Sequence, residues 1–371
     1  MKILLLSCCT GEGHNSAAKA LMQELDRRGI QSEITDPIAF ISETASKFVS
    51  SFYNNMIKKT PQAFGAMYKV SELYSNTELS SPVYWLSAGY ARKMLDYIRE
   101  GGFDAVISTH LFGITALSAV RHKAEEHIPS YGVLTDYTAY PFVGETDVDR
   151  YFVPHADIIT EMVEQGIPAS RCAPTGIPVR EAFASLPSQA AAREALGIPT
   201  DKKMILVMTG GVGCDNMTAL CDEVVAAVDE RVVAYVMVGK NADMQAELIR
   251  RYGENGVIRT VPFTTEVHTY MRAADVLMTK AGGLSSTEAL VTGVPMVHVK
   301  AIPGCETYNV KFFSERGLSL AAKSDGEAAA MAMRLAFDEE GAARMRDAQH
   351  DAGNPLAARD IVQIVLDDLA K

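Results

Sequence analysis

The chain reads as an α/β protein built from two doubly wound domains, and three features predict this. Short apolar runs of strand character alternate with stretches of helical periodicity, the signature of parallel βαβ units. Pro174, Pro178, Pro187 and Pro199 then mark a connector, after which the alternation restarts. A length of 371 residues suits two domains of ordinary size, each able to bury its own core. In order, Ile3 to Cys8 is a buried strand run, Asn15 to Arg28 has helical periodicity, and Ser32 to Thr35 is a second short strand. Ala105 to Ser108 and Tyr131 to Thr135 read as further strands, and Tyr151 to Val153 opens another unit with the helix Ile158 to Gln165. A boundary follows near residue 180, giving domains 1–180 and 181–371. Beyond it come the strand Met204 to Met208, the turn Thr209 to Gly213, the helix Met217 to Val228, the strand Val232 to Val238 and the apolar run Ala274 to Thr279.

Composition narrows the function classes. A hydrophobic content of 48% is that of a globular protein, and a net charge of −11 excludes a nucleic-acid binder, which needs a basic face to neutralise phosphates. The six cysteines, Cys8, Cys9, Cys172, Cys214, Cys221 and Cys305, lack metal-ligand spacing, and Lys2 to Leu6 runs directly into a loop with no signal peptide before it. A reduced, cytoplasmic protein is expected. No apolar run reaches the roughly 20 residues needed to span a bilayer, so any membrane contact is expected to be peripheral.

Two successive strand-to-helix turns carry the strongest chemical signal. The first is Lys280-Ala281-Gly282-Gly283-Leu284-Ser285-Ser286-Thr287-Glu288-Ala289-Leu290, and the second runs from Val294-Pro295 to Pro303-Gly304-Cys305-Glu306-Thr307-Tyr308-Asn309. Gly282 and Gly283 let the backbone turn tightly and approach a ligand. Ser285 or Ser286 can cap the following helix, whose amide N–H groups and positive dipole end then offer an anion site fit for a phosphate. Glu288, about one turn in, can accept hydrogen bonds from two neighbouring hydroxyls, as on a ribose, or can simply complement the helix N-terminus.

A further glycine turn, Thr10-Gly11-Glu12-Gly13-His14, follows the first strand. With Asp36 at the end of the second strand it invites a dinucleotide reading, but the third glycine is missing and no P-loop lysine follows. His14 can be a structural cap, or it can orient an acceptor hydroxyl, take its proton as a general base, or stabilise charge on a leaving group. Asp136 lies at a strand's C-terminal end, the edge where open α/β sheets bind ligands, and is a second candidate base. Asp147-Val148-Asp149 resembles a metal-binding pair, but it leads straight into a strand, and no metal site is expected there.

Lys280 to Leu290, Val294-Pro295 and Pro303-Gly304-x-Glu306-x-x-Asn309, with Val261-Pro262-Phe263-Thr264 and Ala273-Ala274-Asp275 upstream, resemble the donor-binding signature of the inverting glycosyltransferases that include monogalactosyldiacylglycerol synthase and the processive diacylglycerol glucosyltransferases. The enzyme adding N-acetylglucosamine to the peptidoglycan lipid precursor is a more distant relative. The resemblance implies the GT-B fold, two Rossmann-like domains facing a cleft, with residues 1–180 on the acceptor and membrane side, 181–371 binding a UDP-sugar, and a last helix, about 356–370, crossing back to the first domain. It implies a UDP-hexose co-substrate with no cofactor and no metal. Phe263 would meet uracil, Glu288 the ribose, Ser285, Ser286 and Gly211 to Gly213 the diphosphate, and Glu306 and Asn309 the hexose. Lys280, Gly282, Gly283, Leu284, Gly304 and Cys305 complete this donor set. Gly11 and Gly13 become an acceptor loop with His14 at the helix start, and His110 matches a family position at another strand end. The chain departs from the family at Cys9, where the plastid enzymes carry a carboxylate, at Tyr140-Pro141-Phe142-Val143, where relatives carry histidine and tryptophan, and at Cys305, where relatives carry glutamine. A thiol is a poor substitute for hydrogen-bonding sugar hydroxyls, so the donor sugar stays open.

Residues 44–99 hold Lys47, Lys58, Lys59, Lys69, Arg92, Lys93 and Arg99 against Glu72, Glu78 and Asp96, a local excess of positive charge in an acidic chain. Phe48, Phe52, Tyr53, Phe64, Tyr68, Tyr74, Tyr84, Trp85, Tyr90 and Tyr97 gather there too. Such a segment suits an anionic membrane surface, or a helical subdomain whose aromatics are core. The expected activity is transfer of a hexose from a UDP-sugar to a lipid acceptor, most simply diacylglycerol, with inversion, by a protein peripheral on the inner face of the membrane. The rival expectations are a nucleotide-sugar 2-epimerase, which shares the two-domain fold, and a catalytically silent UDP-sugar-binding protein.

Overall fold

The structure, a computed structural model, describes residues 1–8, 12–42, 44, 46, 48, 51, 55–56, 60–75, 80–122, 127–209, 217–254 and 256–371. The chain forms two compact units. One comprises Met1–Glu181, Ile302–Cys305 and Asn354–Lys371, the other Ala182–Ala301 and Glu306–Gly353.

The first unit holds a six-stranded parallel sheet of β1 (Lys2–Leu6), β2 (Gln31–Thr35), β3 (Ala105–Ser108), β4 (Ser130–Val133), β5 (Arg150–Val153) and β6 (Cys172–Pro174), in the order β2-β1-β3-β4-β5-β6. Leu6 pairs with Ser108, and Ser108 with Gly132, so these three strands end side by side. Ile3, Leu5, Ala105, Ile107, Tyr131, Val133 and Phe152 are buried from the strands in one cluster with Leu21 and Leu25 of helix α1 (Glu12–Arg27). Such near-continuous apolar strands are what a sheet covered on both faces requires. Pro174, which cannot donate to a ladder, sits on the edge strand β6, where the loss is smallest. The helix Ala357–Leu369 lies in this unit, its Ala358, Ile361, Val362 and Val365 buried in the same cluster. Arg150 donates two bonds to Asp368, of 2.9 and 3.1 Å, and Arg28 donates to Gln363 at 2.7 Å, fixing the helix along its length.

The second unit repeats the plan with β7 (Lys203–Met208), β8 (Val232–Gly239), β9 (Ile258–Pro262), β10 (Val276–Thr279), β11 (Met296–His298) and β12 (Leu320–Ala321), in the order β12-β11-β10-β7-β8-β9, again all parallel. Asp275 anchors this sheet. One of its oxygens accepts from Arg193 at 2.5 Å and from the Met204 amide at 2.6 Å, while Arg193 also donates to the Ala273 carbonyl at 2.9 Å. The aspartate of Ala273-Ala274-Asp275 therefore binds β7 to β10 and to helix Gln189–Leu196.

In each sheet the strand order reverses beside the first strand of the unit, between β1 and β3 and between β7 and β10. The loops leaving such a pair of strands diverge to opposite faces and open a crevice, where doubly wound sheets bind ligands. Residues 7–8, 12–14 and 109–110 lie beyond the first pair, and residues 209 and 280–283 beyond the second. Gly11, Gly211 and Gly213 lie outside the described residues, as do Cys9, Lys47, Phe52, Tyr53, Lys58, Lys59, Glu78 and Cys214.

Candidate active site

At the β1/β3 crevice, Gly13 and His14 occupy the first turn of α1, which begins three residues before the expected Asn15. His14 Nδ1 lies 2.8 Å from the Thr109 carbonyl oxygen and 2.8 Å from Thr135 Oγ1. A carbonyl only accepts, so Nδ1 carries the proton and the lone pair of the neutral ring is on Nε2. Burial lowers the pKa of this histidine, and its bond to Thr109 opposes that effect only in part, which keeps the ring neutral at pH 7. His110 packs edge-on against it, with centroids 4.4 Å apart and planes at 72°. His110 is the N-cap of helix Leu111–Arg121, its Nδ1 accepting from the Phe112 amide at 3.1 Å. Its neutral ring must then carry the proton on Nε2. Burial, and then the neighbouring His14, hold its pKa well below the usual range. Two neutral imidazoles of opposite tautomer thus sit together, one with an accepting Nε2 and one with a donating Nε2.

Asp136 follows β4 and is half-buried. Its charge adds to burial in raising the Tyr140 phenol well above its usual range. Asp147 and Asp149 belong elsewhere. Asp147 is held by Arg171 at 2.5 Å, while Asp149 is held by Arg121 at 2.6 Å and accepts from the amide of Ser130, the first residue of β4, so both sit at the opposite end of the sheet from His14. Within the same unit, Gly304 has φ +118°, a conformation that only glycine adopts readily, and a Cβ there would lie 3.0 Å from the Phe64 ring. Cys305 Sγ is 3.3 Å from the Tyr68 hydroxyl. On helix Pro61–Ser75, Met67, Val70 and Leu73 form an exposed apolar stripe at helical spacing, with Lys69 exposed next to Val70 in the chain. Trp85 is 67% exposed, whereas Phe64 and Tyr90 are core.

In the second unit, the turn after β10 differs from expectation in its cap. Helix Gly283–Thr292 opens with Gly282 as N-cap and with no side-chain cap bond, and a Cβ on Gly282 would meet nothing within 4 Å. Serine is not the cap because Ser285 and Ser286 already lie inside the helix. Ser286 is fully buried and its hydroxyl is 3.0 Å from Nε2 of His298, whose Nδ1 is 3.1 Å from Ser319 Oγ. Ser285 is half-exposed, Leu284 is buried and Glu288 is 7% exposed. A glycine cap leaves the first amides uncovered by a side chain, which makes the turn a better anion site than a serine cap. Asn309 is fully buried and donates to the Ala281 carbonyl at 2.8 Å, so its amide ties the second turn to the first. Lys280 pairs with Glu306 at 3.4 Å. Phe263 is 62% exposed, with the Lys240 ammonium 4.9 Å from its ring centroid. No motif marks Thr109 or His298, whose only signal is a position at a strand end or in a strand beside the turn, and Tyr140 shows only within the segment after β4 already noted as a departure from the family pattern.

The sequence model of the monogalactosyldiacylglycerol (MGDG) synthase family matches residues 14–179, and that of the glycosyltransferase family 28 C-terminal domain matches residues 204–324. The processive diacylglycerol β-glucosyltransferase of Bacillus cytotoxicus is 26% identical over 371 residues, covering 99% of this chain and 94% of the relative. Its counterpart in Bacillus mycoides is 27% identical over 369 residues, covering 98% and 93%. The chain thus carries the domains of both families and is a UDP-sugar-dependent glycosyltransferase. The crystal structure of Acinetobacter baumannii MurG shares this chain's fold, with a TM-score of 0.66 at 15% identity over 99% of both chains. The UDP complex of S. aureus MnaA has a TM-score of 0.64 at 15% identity, over 97% of this chain and 94% of that one. This glycosyltransferase therefore has the GT-B fold; the first match falls on the unit that carries His14, and the second covers the turn after β10, which lies in the other unit.

Proposed function

We propose that the protein transfers glucose from UDP-glucose to the hydroxyl of diacylglycerol with inversion, giving a β-glucosyl lipid and UDP. The alignment with processive diacylglycerol β-glucosyltransferases along nearly their whole length carries this reading. The acceptor oxygen bonds to the anomeric carbon as the bond from that carbon to the diphosphate oxygen breaks on the opposite side. His14 Nε2 takes the acceptor's proton, and its neutral state supports that role. The uncapped amides of the helix's first turn, from Gly283, together with Lys280, take the diphosphate charge as it develops. Glu288 holds the ribose, the Phe263 ring meets uracil, and Glu306 faces the hexose. The stripe Met67, Val70 and Leu73 rests on the membrane with Lys69 at anionic headgroups, on the inner face where the protein is peripheral. Among the described residues no helix is long and apolar enough to cross a membrane.

The test is incubation with labelled UDP-glucose, UDP-galactose and UDP-N-acetylglucosamine and diacylglycerol vesicles, followed by lipid chromatography and NMR of the anomeric proton. A β-glucosyl lipid is expected. An epimerised nucleotide sugar without lipid product would instead establish an isomerase, and UDP affinity without any turnover a silent binder.

A further inference from the structure

We propose that Thr135 is a positioning residue that orients the His14 ring and stabilises its protonated form through a hydroxyl chain ending at Tyr140. The inference rests on the reading of His14 as the base. Thr135 Oγ1 is 2.8 Å from His14 Nδ1 and 2.8 Å from the Tyr140 hydroxyl, and the Thr135 amide donates to the same phenol oxygen at 2.7 Å. The Thr109 carbonyl obliges Nδ1 to be the donor, so Thr135 Oγ1 shares that proton as acceptor and sends its own proton to Tyr140. Thr135 is 4% and Tyr140 6% exposed, which excludes water as the usual partner of these groups. Tyr140 keeps its proton, since burial and then Asp136 raise its pKa. Thr109 closes the arrangement from the other side, its hydroxyl donating to the His14 carbonyl at 3.0 Å.

Both acceptors of the Nδ1 proton are uncharged. When Nε2 receives the acceptor's proton, the imidazolium draws on these two oxygens, and bonds to the charged form strengthen along a polarised chain. Without Thr135 Oγ1, the imidazolium loses one of the two and the ring is held by the Thr109 carbonyl alone. The base weakens.

The variants are Thr135→Val, Thr135→Ser, Tyr140→Phe and His14→Ala, with kcat, both KM values and the pH profile of kcat/KM measured on vesicles. Thr135→Val is expected to lower kcat about tenfold, the loss typical of one hydrogen bond to a charged group. It should leave the KM for the UDP-sugar unchanged and move the acid limb of the profile to lower pH, because the imidazolium is the form that loses a partner. Thr135→Ser should restore both, and Tyr140→Phe should move the limb in the same direction by less. An inactive His14→Ala beside a Thr135→Val of wild-type rate and profile overturns the inference and leaves the base in place. A fall in kcat with no movement of the limb also overturns it, since a merely structural role would do that. Full activity of His14→Ala overturns the base itself. Should Thr135→Val fail to fold, Tyr140→Phe and Thr135→Ser decide, and an unmoved limb in Tyr140→Phe counts against the proposal.

Discussion

Replacing His298 with asparagine is expected to flatten the acid side of the second unit's stability. His298 is fully buried at the end of β11, bridging Ser286 and Ser319, and burial pushes its pKa from 6.5 down to about 3. The unfolded chain binds a proton at this position below pH 6.5 while the folded unit refuses it until about pH 3. Stability is therefore lost as pH falls through that window and is fully present above it. For these pKa values the loss between pH 7 and pH 5 is about 2 kcal/mol. The other histidines are common to both proteins and cancel in the difference. Trp85 lies in the first unit, so its fluorescence is the wrong probe. The Val299 amide, which donates to the Thr279 carbonyl at 2.9 Å beside β11, reports opening of the right region by hydrogen exchange corrected for intrinsic rates. His298→Asn is expected to be less stable than wild type at pH 7 through lost packing, with the gap narrowing by about 2 kcal/mol at pH 5. Parallel pH dependences in the two proteins would refute the reasoning, because no proton would then be excluded at His298.

Asn309→Ala removes the donor to the buried Ala281 carbonyl, at a cost of about 1–3 kcal/mol, and should weaken UDP binding measured by calorimetry, whereas unchanged affinity would show that the turn holds itself. Asp275→Ala leaves Arg193 buried without its carboxylate and should destabilise the second unit by about 3–5 kcal/mol in urea unfolding, with a loss under 1 kcal/mol counting against this anchor. Changing Met67, Val70 and Leu73 together to serine should abolish sedimentation with anionic vesicles and leave turnover of a short-chain soluble acceptor intact. Equal sedimentation of the two proteins would move the membrane contact elsewhere.

Elements with a plain local pattern, an apolar strand run or an amphipathic helical stripe, were legible in the chain. Ala105–Ser108 and Ala357–Leu369 need no more than local pattern, since every strand residue is buried in the first and one face is buried in the second. Strand β12 is two residues long, and helix Asp325–Phe337 buries Ala328, Ala329 and Ala332, whose small side chains give little hydrophobic contrast against solvent-facing neighbours. Neither offers a periodic signal strong enough to stand out.

The two crevices differed in legibility for a physical reason. The donor turn gathers glycines, a helix start and a carboxylate within eleven consecutive residues, so its chemistry is written in one place, although even there a residue's type misled about its use. Ser286 looks like a cap but its hydroxyl faces His298 on another strand, and Asn309, expected at the hexose, has its amide at Ala281. The proposed base at the other crevice depends on oxygens that arrive from the ends of β3 and β4, at Thr109 and Thr135, and from Tyr140 beyond. No spacing rule connects positions 14, 109, 135 and 140. They meet because β1, β3 and β4 lie side by side in register and end at a common level, which makes the proton on Nδ1, and with it the capacity of His14 to act as a base, a property of the sheet.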